Sequence, residues 1–249
     1  MKNLSSAKST ASVAAHPRNG AGGGNSTPLL VVATREPQQG RSRESFARMI
    51  SAAEKLLKAN GNDNFTLNEV SEVGKVSIGS IYCRFSSKEE LIHAVQIRAM
   101  ARIEKDQCDV IAKAAASTNN LSELIVKLVD GLAESFRRHA PLLRPMMHRA
   151  GYDPDVAEVG RQSYLLVTER VHAALLEYRD EIAQPDPERA VRSAYRIMYG
   201  ALARYLGFGT GMEAALQGSW IELKEDLGWM CAAFLMTKPR RCVPDRTGC

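Results

Sequence analysis

The sequence predicts an all-α protein. Apolar residues recur at spacings of three and four over most of the chain, and no convincing strand interrupts them. Helix-start signals occur at Thr66, Ser87, Asp153 and Asp186, where a capping side chain precedes an acid or a proline in the first turn. These signals predict a three-helix unit near the N-terminus and a longer helical domain after it.

The first predicted helix runs from about Arg43 to Lys58 and ends at Asn60 and Gly61. Helical spacing places its inward stripe at Phe46, Ile50, Ala53, Leu56 and Leu57. Residues 1–40 precede this helix and are rich in Ser, Ala, Gly, Asn and Thr. Such a composition buries too little apolar surface to offset the entropy of ordering, so we expect a disordered arm.

Residues 66–91 predict two short helices joined by a tight turn, followed by the start of a third. Thr66 and Glu69 form a capping box. The apolar face of the helix that follows is expected to consist of Leu67, Val70 and Val73. Gly74 is expected to take the left-handed backbone conformation that ends this helix, and Val76 to fill the angle between the two helices.

The second short helix is capped by Ser77, reaches about Phe85 and has Ile81 and Phe85 as its inward anchors. The remaining side chains are predicted to face outward: Ile78, Gly79, Ser80, Tyr82, Cys83 and Arg84. A helix with so few anchors needs another role, and insertion into the major groove of DNA fits it. Ser87 then caps the third helix, where Lys88 is suited to a nearby phosphate.

These residues carry a family resemblance. The run from Val76 to Leu91, preceded by the helix Phe46–Leu57 and the Asn60-Gly61 break, resembles the DNA-binding domain of the TetR family of bacterial transcriptional regulators. The resemblance covers about residues 41–95. It implies an all-helical homodimer with an N-terminal DNA-binding domain and a C-terminal domain that holds a small ligand and the dimer interface.

The resemblance also implies site residues by position. Tyr82 and Lys88 match phosphate contacts, and base contacts are matched by Asn68, Ile78, Gly79, Ser80 and Cys83. Arg84 departs from the commoner His or Tyr and adds a charge suited to phosphate or guanine. The predicted DNA-binding set is completed by Thr66, Ser77, Arg41 and Arg43. The basic end of the arm either contacts DNA or is simply solvated.

Composition agrees with this interpretation without requiring it. A net charge of +5 and a pI of about 9.0 favour a polyanionic partner, although such a mild excess is common elsewhere. The five cysteines form no C-x-x-C pair, so we predict no metal site, no cofactor and no disulfide framework, and expect a reducing cytoplasm. Cys83 is either a redox switch or a small apolar contact. We expect no segment that spans a membrane.

The predicted DNA-binding domain covers residues 41–95, and helical periodicity continues through residues 96–238. We expect residues 96–238 to form an effector-binding and dimerisation domain, with a flexible tail at residues 239–249. A long helix that starts at Lys88 and passes Ile103 is expected to join the two domains.

The middle of the second domain is predicted to contain two further helices. The first begins at Leu121 and is interrupted at Pro141, after which a short segment reaches His148. The second begins at Asp153 and runs to about Ile182.

Two late helices are predicted, one starting at Asp186-Pro187 and one spanning about Ser219 to Met236. Both are apolar on more than one side, so they bury a second face either against another chain or within the same domain. The predicted dimer interface comprises Val191, Ala194, Met198, Leu202, Leu223, Leu227, Met230 and Phe234.

Aromatic residues, methionines and histidines on the same helices are either pocket walls or plain core. The candidate pocket residues are Phe136, Met146, Met147, His148, Tyr164, His172 and Tyr195. Arg144, Arg149 and Arg161 either recognise an anionic ligand or are solvated.

The function that these patterns favour is a dimeric, ligand-responsive transcriptional regulator. A repressor that leaves a palindromic operator when a small effector binds is the family default, and activation is the alternative outcome. A helical protein-interaction module is a rival class. An enzyme is a weaker rival, because no nucleophile and base fall at a recognisable spacing.

Overall fold

The computed structural model describes residues 40–209 and 216–239 of the 249-residue chain. Within these ranges the chain is all-α, as predicted. The eight α-helices described are α1 Gly40–Asn60, α2 Leu67–Gly74, α3 Ile78–Tyr82, α4 Lys88–Ala116, α5 Leu121–Arg149, α6 Pro154–Leu176, α7 Pro187–Tyr205 and α8 Trp220–Met236. No helix in these ranges combines the length and apolar character that crossing a membrane requires. All but the last residue of the predicted N-terminal arm, Gly40, and all but the first residue of the predicted tail lie outside the described residues.

The helices α1 to α3 and the start of α4 enclose one hydrophobic core. Its fully buried members include Met49, Val70, Ile81, Phe85 and Leu91. Both predicted anchors, Ile81 and Phe85, are therefore buried, but α3 ends at Tyr82, before Phe85. Val73 was expected to face this core but is 45% exposed, and the buried residues of α2 are Val70 and Gly74.

The turn between α2 and α3 differs from the prediction at one residue. Gly74 does not end α2 in a left-handed conformation; it is the last residue of the helix, and Lys75 has the positive φ of 49°. An added Cβ at Gly74 would lie 3.2 Å from the Cβ of Ala52 and 3.3 Å from the Arg48 carbonyl oxygen. Glycine is therefore favoured here by the close approach of α1.

Helix α4 is 29 residues long and connects the two halves of the molecule. Its first turns lie in the core of α1 to α3, the unit that the sequence predicts to bind DNA and that we call the DNA-reading unit. Ile111 and Ala114 belong to the second core. Arg102, halfway along, donates a hydrogen bond of 2.7 Å to Glu54 of α1. The predicted joining helix is therefore present.

The predicted interruption at Pro141 is wrong, because α5 is continuous from Leu121 to Arg149 with Pro141 and Pro145 inside it. Each proline removes one backbone donor and costs helix stability. Leu142 and Met146 lie beside the prolines and are buried against the DNA-reading unit. We attribute the intact helix to this tertiary packing.

Helix α6 ends at Leu176 rather than near Ile182, and a 3₁₀ turn, Arg179–Glu181, follows it. Hydrogen bonds between residues that are far apart in sequence hold this end of α6 in place. The carboxylate of Glu181 accepts a hydrogen bond of 2.9 Å from the Leu121 amide. Tyr178 donates one of 3.0 Å to the carbonyl of Thr118.

The second core lies between α5, α6, α7 and α8, with contributions from the end of α4. Asp186 caps α7 with Pro187 at its first position, and Ser219 caps α8, as the sequence predicted. Leu202 of α7 and Leu235 of α8 are fully buried in this core.

Lys75 generates a prediction about stability. A side chain in the left-handed region costs about 1–2 kcal/mol, and glycine avoids that cost while losing about 0.5–1 kcal/mol of entropy on folding. We expect Lys75→Gly to raise the free energy of unfolding by about 0.5–1 kcal/mol in urea titrations. Lys55→Gly in the middle of α1 is the control and should lower it by about 1 kcal/mol. A loss of stability in Lys75→Gly would contradict the claim that the backbone at Lys75 is strained.

Candidate DNA interface and ligand cavity

One side of helix α3 packs against the protein, and the other side is exposed. The Ser77 side chain accepts a hydrogen bond of 3.1 Å from the Ser80 amide and caps the helix. Ile81 is fully buried beneath α3, whereas Gly79 and Cys83 are exposed and Tyr82 is 60% exposed. The predicted outward residues Ile78 and Ser80 are half-buried.

Gly79 is not required by packing within the chain. A Cβ placed at this position would meet no atom within 4 Å among the described residues. Its φ is not in the left-handed region, so the backbone does not require glycine either. A glycine in the middle of a short, exposed helix therefore leaves room for something that approaches from outside.

Arg84 is not a free cation, although the sequence placed it facing outward. Its guanidinium donates a hydrogen bond of 3.1 Å to the Ser42 carbonyl and lies 5.8 Å from the centre of the Phe46 ring. Arg84 therefore ties the end of α3 to the start of α1. Arg43 is exposed on the same stretch of α1, and the side chain of Arg41 lies outside the described residues.

Lys88 lies at the start of α4, with Ser87 as the cap, as predicted. Its ammonium donates a hydrogen bond of 2.9 Å to the Asp63 carbonyl and lies 5.5 Å from the centre of the Phe65 ring. This partner explains a lysine at a helix N-terminus even without a phosphate. Thr66, in the loop beside it, completes the predicted capping box with Glu69.

A partly buried ionic cluster joins the loop before α2 to the turn between α5 and α6. We call it the domain junction; it consists of Asp63, His93, Arg149 and Asp153. The side chain of Arg149 is 7% exposed, pairs with the Asp63 carboxylate, and donates from Nε to Asp153 Oδ2 at 2.8 Å. His93 Nε2 lies 2.8 Å from the same Asp153 oxygen. These contacts connect the DNA-reading unit to the helical domain that follows it.

Electrostatics at the domain junction favour the ionised forms of its two carboxylates, Asp63 and Asp153. Burial by itself raises the pKa of Asp153, but hydrogen bonds from His93, the Val156 amide and Arg149 outweigh it and lower the pKa to about 2. Burial likewise opposes the lowered pKa of Asp63, which the Arg149 hydrogen bond brings down. His93, Asp153 and the exposed Asp155 bring ligand atoms within 4.8 Å of one another, but His93 and Asp153 are already paired.

A cavity of about 540 Å³ lies next to the domain junction, between α4, α5, α6 and α7. Five of the seven predicted pocket residues border it: Phe136, Met146, Met147, Tyr164 and Tyr195. The other two do not. His148 packs edge-on against Tyr152, and His172 packs edge-on against Tyr195 from outside the cavity.

Sequence reasoning missed several residues of the cavity wall. The principal ones are Gln96, Met100, Ile103, Gln107, Tyr199 and Phe208. The first four lie on one face of α4, at spacings of three and four. That periodicity is visible in the sequence, but it is equally typical of a helix packed in a core.

The three arginines considered for an anionic ligand all have other partners. Arg144 donates a hydrogen bond of 2.7 Å to the Leu206 carbonyl, and Arg149 belongs to the domain junction. Arg161 borders the cavity but makes two hydrogen bonds, of 2.7 and 2.6 Å, to the Glu158 carboxylate.

Five of the eight residues predicted for the dimer interface lie in the chain's own core. These are Val191, Ala194, Met198, Leu202 and Leu227, none more than 4% exposed. Only Met230 and Phe234 are exposed large side chains, at 52% and 36%. They belong to a set that we call the α7–α8 apolar surface, which consists of Ile197, Ile221, Trp229, Met230 and Phe234.

A three-helix unit with an exposed short helix, joined to a helical domain that encloses a cavity, defines the class of helical DNA-binding regulators. The sequence profile of the family described as "Bacterial regulatory proteins, tetR family" matches residues 49–95. The HTH-type transcriptional regulator UidR of Escherichia coli K12 is 26% identical over 196 residues, covering 72% of this chain and 95% of UidR.

Solved structures share the fold. A Mesorhizobium loti protein assigned to the TetR family matches with a TM-score of 0.61 at 18% identity, covering 79% of this chain and 98% of that one. The fatty acid degradation regulator FadR from Bacillus halodurans matches with a TM-score of 0.56 at 14% identity, covering 79% and 97%. Residues 49–95 thus match the DNA-binding domain of the TetR family, and over most of its length the chain is similar to TetR-family transcriptional regulators. These relatives are regulators, so the enzyme alternative is set aside.

The domain junction predicts a pH dependence. The pKa of Asp153 falls from 3.8 to about 2 on folding, so its stabilisation is present above about pH 4 and is lost as the pH falls towards 2. At about 1.4 kcal/mol per unit, Asp153→Asn should lower the free energy of unfolding at pH 7 by about 2 kcal/mol. Asparagine still caps a helix, so the charge is what changes.

The measurement is urea unfolding of both proteins at pH 7 and between pH 4 and 2, where the variant should lose less stability than the wild type. Asp155→Asn, two residues along and exposed, is the matched control. Parallel stability curves for Asp153→Asn and the wild type would rule out the ionic role.

Proposed function

We propose that the protein is a homodimeric repressor that binds a pseudo-palindromic operator through paired α3 helices and leaves it when a small molecule fills the cavity. The observation that carries the proposal is that α4 connects the reading surface to the cavity. The same helix begins beside the reading surface, where Lys88 lies, and borders the cavity with Gln96, Met100, Ile103 and Gln107. A ligand that displaces α4 thereby changes the position of the reading unit.

The reading surface is suited to the major groove. Gly79, Tyr82 and Cys83 form the exposed side of α3, and the absence of a Cβ at Gly79 lets the helix approach base edges closely. Tyr82 at the end of α3 and Lys88 at the start of α4 are assigned to phosphate contacts, which set the register of the helix. Asn68 is exposed on the neighbouring helix α2 and belongs to the same proposed surface.

The domain junction offers a second route from the cavity to DNA. Ala150 and Val156 border the cavity, and they lie next to Arg149 and close to Asp153 in the chain. Gln96 of α4 donates a hydrogen bond of 2.8 Å to the Val156 carbonyl. A ligand that presses on this turn moves the arginine that holds the loop before α2.

The proposed dimer forms through the α7–α8 apolar surface. Trp229 is 72% exposed and Ile197 is 58% exposed, although both are large and apolar. Burying such side chains against a second copy of the same surface stabilises a two-fold dimer and places two α3 helices on one face of DNA. No cofactor and no metal enter this proposal, and a site of action in the cytoplasm follows from it.

Dimerisation can be tested by introducing one charged side chain into the α7–α8 apolar surface. Trp229→Glu should convert a dimer into a monomer in sedimentation measurements, because a carboxylate cannot be buried unpaired in an apolar contact. DNase footprinting of the promoter beside the gene should show two protected half-sites for the wild type. The variant should bind about 10²–10⁴-fold more weakly, since the two half-sites no longer act together.

Leu166→Glu on α6 is the control. Leu166 is also a large apolar residue that is exposed, at 40%, but it lies outside the α7–α8 apolar surface. It should remain dimeric. If Trp229→Glu stays dimeric and keeps full affinity, the interface lies elsewhere.

The role of Lys88 generates a separate prediction. Lys88→Met keeps an alkyl chain against Phe65 and removes the charge. If Lys88 contacts a phosphate, affinity should fall alike for all DNA sequences, and the slope of log affinity against log salt should decrease by about 0.9. Gel shifts over a range of salt concentrations measure both.

Lys105→Met on the exposed part of α4 serves as the control and should leave the salt slope unchanged. A changed base preference in Lys88→Met with an unchanged salt slope would show that Lys88 reads bases instead.

A further inference from the structure

The wall of the cavity is chemically uneven. Eight of its side chains carry an aromatic ring or a thioether: Phe136, Tyr164, Tyr195, Tyr199, Phe208, Met100, Met146 and Met147. The rings of Tyr164 and Tyr199 lie 5.0 Å apart between centroids, and those of Tyr164 and Tyr195 lie 6.0 Å apart. Such a wall contacts flat aromatic surfaces well, and methionines adapt to their outline.

Charge is nearly absent from this wall. Among the described residues that border the cavity, Arg161 is the charged one, and its exposed guanidinium is occupied by Glu158. Burial raises the pKa of Tyr199 to about 12 and also raises that of Tyr195, so both phenols are neutral near pH 7. A carboxylate or a phosphate would find no unpaired cation here to offset its loss of water.

One polar group on the wall lacks a partner. Gln107 of α4 is 3% exposed, borders the cavity, and has an amide nitrogen without a hydrogen-bond partner. A buried donor left unpaired is costly, and an acceptor supplied from the cavity would remove that cost. The other glutamine of the wall, Gln96, is already bonded to Val156.

Glu104 lies one turn before Gln107 on α4, is 9% exposed, and has a carboxylate oxygen without a partner. It does not border the cavity, so it offers no direct contact to a cationic ligand. Its position near the wall further disfavours an anion.

We propose that the effector is an uncharged aromatic compound that packs among the three tyrosines and accepts a hydrogen bond from the Gln107 amide. The inference rests on the proposed function, since it takes the cavity as the effector site. A cavity of about 540 Å³ is large enough for a compound of two or three fused rings.

The test uses four fluorescent probes of one shape: 2-acetylanthracene, 2-ethylanthracene, anthracene-2-carboxylate and 2-(aminomethyl)anthracene. Dissociation constants are measured with the full chain at pH 7. We expect the acetyl compound to bind about fivefold more tightly than the ethyl compound, the size of one net hydrogen bond. We expect both charged probes to bind at least about tenfold more weakly than the acetyl compound.

Gln107→Leu isolates the hydrogen bond. The acetyl and ethyl probes should bind this variant equally, and the fold should tolerate it because an unpaired buried amide is replaced by an apolar side chain. Gln162→Leu on α6, outside the cavity wall, is the matched control and should keep the fivefold preference. If Gln107→Leu does not fold, the ranking of the four probes by the wild type still decides.

Tighter binding of a charged probe, or no binding of the acetyl probe, would overturn the ligand class. A preference for acetyl that survives in Gln107→Leu would overturn the role of Gln107. Gel shifts on the promoter separate the two proposals. If a charged probe releases DNA, the ligand class fails and the proposed function stands. If the acetyl probe binds as expected without weakening DNA binding, effector release fails and the ligand class stands.

Discussion

The pairing of Arg149 is the constraint on which the arrangement of the two domains depends. A guanidinium that is 7% exposed must keep its partners, and leaving such a charge unpaired typically costs about 3–5 kcal/mol. Its two carboxylates come from opposite sides, Asp63 from the DNA-reading unit and Asp153 from the start of α6. Neither domain can rotate far without breaking a pair.

This constraint gives the neighbouring cavity its significance. The cavity wall includes Ala150 and Val156, so it is built partly from the same turn that presents Arg149. Helix α4 forms another part of the wall and is fixed to α1 through Arg102 and Glu54. A ligand in the cavity thus contacts both connections to the reading unit. Typical coupling of this kind, about 1–3 kcal/mol, changes affinity by a factor of about 5 to 150.

The sequence predicted what is local and failed where distant contacts decide. Helix starts such as Ser77 and Asp153 were predictable, because a cap and the residues it bonds lie within one turn. Pro141 was misinterpreted because the packing that keeps α5 intact comes from another domain. The sequence did not separate the two apolar faces of α7 and α8, since periodicity identifies apolar faces but does not say which one meets the chain's own core. Gln107 carried no signal, because an unpaired buried amide is defined only by its surroundings.

The reading surface is preorganised by contacts that do not use up its donors. Arg84 donates from one nitrogen to the Ser42 carbonyl, whereas a guanidinium carries five N–H groups. Lys88 donates one of its three ammonium hydrogens to the Asp63 carbonyl. Both side chains are therefore held in place before DNA arrives, yet can still donate to a phosphate. Fixing them in advance lowers the entropy lost on binding. The Lys88 contact also means that any displacement of Asp63 at the domain junction moves the partner of the ammonium that we propose contacts the DNA backbone.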